Sequence, residues 1–164
     1  QVILITTSEA MAEKVNAEVE RQLALLPRKE IAEQSLQYSK IIIVKNREEV
    51  LEMTNEYAPE HLVLAIKDYQ SFADRVVNAG SVFLGKYSCE SAGDYASGTN
   101  HTLPTSGYAK AYSGVNLDSF CRKITFQELS AEGVRSIGRA VELMAEAEQL
   151  DAHKNAMTVR IQSL

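Results

Sequence analysis

The sequence predicts an α/β protein with a mainly parallel, helix-covered sheet and a small helical C-terminal domain. Three observations carry this. Short apolar, β-branched runs alternate with amphipathic segments over residues 1–85, the pattern of strands joined by helical crossovers. Residues 86–114 then lose all sustained periodicity, and the chain beyond them shows only helix-type spacing.

Taken in order, "VILIT" (residues 2–6) reads as a short buried strand, and Ser8 offers an N-cap with Glu9 at the positive end of the helix that follows. Met11, Val15, Val19, Leu23 and Leu26 recur at three- and four-residue spacing, and Pro27 ends the pattern. "KIIIVK" (40–45) is a second apolar strand, "REEVLEMTNEY" (47–57) a second helix and "LVLAI" (62–66) a third strand. Asp68 to Asn78 predicts a third helix with Gly80 as its C-cap, before a fourth strand in "SVFLG" (81–85). Residues 86–114, "KYSCESAGDYASGTNHTLPTSGYAKAYSG", are rich in Gly, Ser, Thr and Tyr. A stretch of that length inside a compact domain predicts an ordered functional loop. Helices are predicted over Ala131 to Glu148, with Val134, Ile137, Val141 and Met144 as its apolar stripe, and over Asp151 to Leu164. The last helix carries Met157, Ile161 and Leu164 with little of its own domain to cover them, which predicts an interface. The domains are therefore set at residues 1–115 and 116–164.

The bulk numbers exclude several classes of function. At 164 residues with 45% hydrophobic and 24% charged content, the chain is long enough to bury a core. No apolar run approaches the ~18 residues of a membrane span. A net charge of −5 and scattered Lys and Arg lack the basic footprint of a nucleic-acid binder. Cys89 and Cys121 have no C-x-x-C spacing and read as free thiols of a reducing compartment, the cytoplasm. The opening "QVILIT" has neither an initiator Met nor a basic leader, so the sequence reads as a piece of something longer.

Titratable residues gather at element boundaries. "YAPEHL" places Glu60 and His61 just after Pro59, a rigid hinge between helix and strand. At such a turn both side chains reach one substrate, as a general base and a second acid/base group. Asp94 stands in "SAGDYASG", where Gly93 and Gly98 let a backbone approach a ligand closely. His101 lies in "GTNH", and His153 shares a helical stripe with Met157 and Ile161. Each has an ordinary alternative: a polar residue opening a strand for His61, an Asx-type turn for Asp94, a loop hydrogen bond for His101, and a packed histidine for His153. No phosphate-loop or dinucleotide-binding glycine pattern is present. One tension stands: Glu60 and His61 precede their strand, whereas Asp94 follows the next one. They meet only if "LVLAI" runs opposite to its neighbours or the long loop folds back across the sheet.

Together, "EYAPEHL", "AGSVFLG", "ESAGDYASGTNHTLPTSGYA", "ITFQELSAEG" and "LDAHKNAMTVRI" resemble the C-terminal part of the histidinol dehydrogenase family, in order along the whole chain. The resemblance implies an incomplete Rossmann-like, aldehyde-dehydrogenase-like half-domain and a zinc enzyme. That family oxidises L-histidinol through L-histidinaldehyde to L-histidine with two molecules of NAD. It implies that His61 takes protons as hydride leaves and that Glu60 helps activate water on the aldehyde. Asp94 and His153 match zinc ligands that also contact substrate, and Glu148 matches the group receiving the substrate's amino end. His101, within the same motif, joins the substrate-binding set. The remaining zinc ligands, in a Q-x-x-H segment, and the NAD-binding region lie upstream of Gln1 in the family pattern. The implied protein is a cytoplasmic homodimer whose swapped C-terminal domain reaches the partner's site, and this piece alone is expected to be inactive. The alternative is a noncatalytic dimerisation or small-ligand-binding domain that kept the fold.

Overall fold

A computed structural model describes residues 1–164 and divides into two compact units, Gln1–Phe120 and Cys121–Leu164. In the first unit, β1 (Ile3–Thr6) pairs in parallel with β2 (Lys40–Ile43), joined through α1 (Glu9–Leu23) and α2 (Lys29–Leu36). The Ser8 side chain accepts from the Met11 N–H, the expected N-cap. α2 has no counterpart in the sequence reading; Pro27 ended the expected helix, and the chain re-nucleates one turn later. α1 packs on β1 and β2 from one side. Ile41 and Ile43 are 40% and 49% exposed, so these strands are covered on one face and are not fully buried as their composition suggested.

α3 (Arg47–Tyr57) follows, capped by the Asn46 side chain accepting from the Glu49 N–H. It leads into β3 (His61–Leu64), which runs parallel to β4 (Ser81–Leu84) with His61 opposite Ser81 and Leu64 opposite Leu84. Between them lies α4 (Tyr69–Ala73), one turn and a half where a longer helix was expected. The core of the unit is Leu51, Leu64 and Phe72, with Val50, Leu62, Tyr69, Val76 and Val82 packed around it. The four strands are parallel but form two two-stranded ribbons instead of one continuous sheet.

Gly80 is not a helix cap. Its N–H donates to the Pro59 carbonyl at 2.9 Å, and a Cβ there would sit 2.5 Å from the Glu60 carbonyl oxygen. Glycine is therefore required for the start of β4 to lie against the Pro59–Glu60 backbone. The long loop is also partly regular: α5 (Glu90–Tyr95) and a 3-10 turn at Tyr108–Lys110 lie within it. Glycine and serine masked both from a periodicity reading.

In the second unit, α6 (Ala131–Ala147) and α7 (Asp151–Gln162) form an antiparallel hairpin. The α6 C-terminus closes as a Schellman motif: Gln149, at φ 59°, donates to Glu146 O, and Leu150 N–H donates to Ala145 O. Val134, Gly138 and Ala145 are buried, whereas Ile137 and Met144 are 40% and 66% exposed. The buried stripe of α6 is thus rotated from the expected one. A Cβ on Gly138 would meet Ile161 Cδ1 at 2.6 Å, so this glycine sets the helix–helix approach. Met157 and Ile161 are half-buried there, which corrects the expectation of an uncovered stripe; Leu164 remains 48% exposed. Both cysteines are free and exposed, and no helix is long and apolar enough to cross a membrane.

Candidate functional site

The turn carrying Glu60 and His61 is built by backbone geometry. α3 ends on Ala58, which adopts a left-handed conformation (φ 52°, ψ 65°), is 1% exposed and donates its N–H to Thr54 O. Proline at 59 pushes this residue away from helix, as expected; burial and the helix-closing hydrogen bond hold it left-handed, at a cost on the order of 1–2 kcal/mol. From there Pro59 O and Glu60 O accept from Gly80 and Ser81 N–H, each at 2.9 Å, so the backbone of the pair is clamped to the start of β4.

Side chains alternate along a strand. Leu62 and Leu64 therefore point to the core under α3 and α4, and His61 and Val63 to the opposite face. On that face the neighbouring ring is Phe83, whose plane is 24° from that of His61 with centroids 6.2 Å apart. Over Phe83 lies α5: a Cβ on buried Gly93 would meet Phe83 Cε1 at 2.8 Å and Thr99 Oγ1 at 2.5 Å. The sequence reading gave Gly93 to a ligand, but in the fold it lets a helix sit on an aromatic ring.

The tension over strand direction is resolved by the loop. β3 and β4 are parallel, the chain turns at Gly85 (φ 79°), and α5 comes back across the sheet face to the end where His61 stands. Glu90 Oε1 reaches His61 Nε2 at 3.8 Å, and Glu60 Oε1 lies 3.9 Å from His61 Nδ1. One imidazole thus has a carboxylate at each nitrogen. Both separations exceed hydrogen-bond length, as is common before a substrate closes a site. The His61 side chain is 22% exposed, Glu60 36% and Glu90 54%, which leaves the group shielded but open to a small molecule.

Asp94 lies one turn beyond Glu90 on α5, on the same helix face by its four-residue spacing, and is half-buried. His101 is exposed and hydrogen-bonds nothing within the chain, so the loop hydrogen bond weighed for it is absent. Glu148 is the C-cap of α6 and His153 the third residue of α7, both exposed on either side of the Schellman turn. His153 is thus not the packed histidine its stripe suggested. The structure brings Glu60 and His61 together and sets Asp94 on the helix that Glu90 anchors beside them.

Glu90 is the residue that sequence reasoning missed. Its signal was available in "ESAGD", an acid pair four residues apart, but it required α5 to be recognised as a helix. The rest of the loop is anchored as well: Lys110 Nζ meets Glu56 Oε1 at 2.7 Å and holds that carboxyl below its usual range through the hydrogen bond. A groove of about 570 Å³ opens beside the start of β4, lined by Ser81, Thr99, Asn100, Leu103 and Asn116 among others. No three His, Cys, Asp or Glu side chains come together as a metal-binding group.

The family model for histidinol dehydrogenase matches residues 1–161. Histidinol dehydrogenase from Bacteroides fragilis is 64% identical over 164 residues, which is all of this chain and 38% of the relative. The Haemophilus influenzae protein of the same name is 51% identical over the same span, again 38% of its length. A crystal structure of histidinol dehydrogenase from Elizabethkingia anophelis superposes with a TM-score of 0.89 at 56% identity, covering 99% of this chain and 38% of that one. The chain thus spans about two-fifths of the length of the relatives it matches, and with the family model running through nearly all of it, it belongs to the histidinol dehydrogenase family.

Proposed function

We propose that these residues supply the acid/base half of a histidinol dehydrogenase active site, oxidising L-histidinol through L-histidinaldehyde to L-histidine. The carrying observation is the placement of Glu60 and His61 on a clamped turn, with the imidazole shielded but reachable. In the first oxidation His61 takes the alcohol proton while hydride leaves the carbon. In the second, Glu60 takes a proton from the water adding to the aldehyde, and hydride leaves again. NAD, bound by residues outside this chain, would supply the hydride acceptor for both oxidations.

Asp94 and His153 are an oxygen and a nitrogen donor of types zinc accepts. We assign them to a zinc site completed from outside these residues. Glu148 receives the substrate's amino group, and His101 lies with the substrate-binding residues. The two ribbons belong to an incomplete Rossmann-like, aldehyde-dehydrogenase-like half-domain, and the α6–α7 hairpin serves the partner's site in a cytoplasmic homodimer. The convergence on one imidazole favours this reading over a noncatalytic dimerisation or ligand-binding domain.

The test is a chimera in which this chain replaces the matching segment of the Bacteroides fragilis relative. It should oxidise histidinol with NAD, and the isolated chain should not. A folded chimera without activity, beside an active parent, would overturn the assignment.

A further inference from the structure

The geometry points to Glu90 as a positioning residue for His61, an inference that rests on the acid/base role proposed above. His61 has two ring nitrogens and a carboxylate faces each: Glu60 at Nδ1 and Glu90 at Nε2. In the proposed chemistry Glu60 works on the water that attacks the reacting carbon, so the reacting atoms lie on the Nδ1 side of the ring. Glu90 stands at the far nitrogen, 3.8 Å from Nε2, placed to accept from Nε2–H as the site closes on substrate, which leaves the Nδ1 lone pair free for the alcohol proton. The proton passes from the substrate oxygen to Nδ1, and the cationic ring then already has an anion opposite Nε2. It is the logic of a carboxylate that orients an imidazole without itself being protonated.

Glu90 also has an ordinary explanation as the acid in the first turn of α5. Two features go beyond it. α5 is fixed in place by the Gly93–Phe83 approach, and Phe83 is the ring lying against His61, so the helix and the imidazole share one support. Moreover, Glu90 reaches His61 across the sheet from the far side of a chain reversal, which a helix-end charge does not require.

The test uses the full-length chimera carrying His61→Asn, Glu90→Gln, and both. Loss of His61 should lower kcat by about 10²–10⁴-fold. Glu90→Gln should lower kcat by about 10–100-fold, the range for outer partners of a functional imidazole, with KM nearly unchanged. In the His61→Asn background, Glu90→Gln should cost nothing further, because Glu90 acts through that ring. Glu90→Asp, which keeps the charge, should recover part of the loss.

Outcomes separate the two claims. Wild-type turnover in His61→Asn would overturn the acid/base reading itself. A crippled His61→Asn with an unaffected Glu90→Gln, or losses that multiply in the double variant, would overturn only the role of Glu90. A measurement independent of activity uses the 164-residue chain, which has three histidines. Glu90→Gln should move the ring-nitrogen signals of His61 and leave those of His101 and His153 in place, and unmoved His61 signals would overturn the inference.

Discussion

Substituting Gly93 by alanine tests how the fold aims the site. The added Cβ would lie 2.8 Å from Phe83 Cε1 and 2.5 Å from Thr99 Oγ1, so restoring ordinary contact at 3.4 Å needs a shift of about 0.6–0.9 Å. Thr99 is exposed and rotates away, but Phe83 is 6% exposed and lies against the His61 ring, so the strain falls on α5 or on that ring. Overpacking of this kind costs about 1–3 kcal/mol. Alanine returns up to ~1 kcal/mol as a better helix former, for a net destabilisation of roughly 0–2 kcal/mol. Function should suffer more than stability. A displacement near 1 Å of positioned groups costs on the order of 10²-fold, and α5 carries both Glu90 and Asp94.

The assay is kcat in the full-length chimera beside denaturant unfolding of the same protein. We expect kcat to fall about 10–100-fold with stability changed by no more than ~2 kcal/mol. Phe83→Leu, which removes the ring atoms in the way, should make alanine at 93 better tolerated. Full activity in Gly93→Ala, or an identical loss in the Phe83→Leu background, would refute the claim that glycine is there for Phe83.

Four further outcomes follow from the same geometry. Glu60→Gln in the chimera should impair aldehyde oxidation more than alcohol oxidation, and equal effects on both half-reactions would remove its role with water. Mixing full-length His61→Asn and His153→Asn proteins under subunit exchange should restore roughly a quarter of wild-type activity if each site is composite across a two-fold axis; demonstrated exchange without recovery would place His153 in its own chain's site. Calorimetry on the isolated chain should find weak zinc binding or none, since Asp94 and His153 offer two ligands where a stable site takes about four, and a tight stoichiometric site would mean that other ligands exist. Ala58→Gly should be near neutral in stability, because relief of about 1–2 kcal/mol of left-handed strain offsets about 0.8 kcal/mol of lost methyl burial and the added freedom of the unfolded chain; Ala58→Val at this 1% exposed position should destabilise clearly, and a tolerated valine would contradict the observed backbone.

Sequence alone determined the features whose cause is local. The apolar runs of β1 to β4, the N-cap at Ser8, and the spacing of α1, α3, α6 and α7 were legible because strand and helix periods are set by neighbours along the chain. So was the placement of Glu60 and His61 at a rigid turn, since proline acts on the residues beside it. Tertiary structure decided the rest. "ESAGDY" has poor helix propensity, and α5 forms against Phe83, a contact no local pattern encodes. Gly80 reads as a cap until β3 and β4 are side by side, when it proves to be the residue that lets Ser81 bond Glu60. Likewise the buried stripe of α6 is chosen by where α7 lies, through Gly138 and Ile161. Glu90 belongs to the same class: it stands opposite His61 because a loop turning at Gly85 crosses a sheet face, and side chains that distant in sequence meet only once long-range packing fixes the path between them.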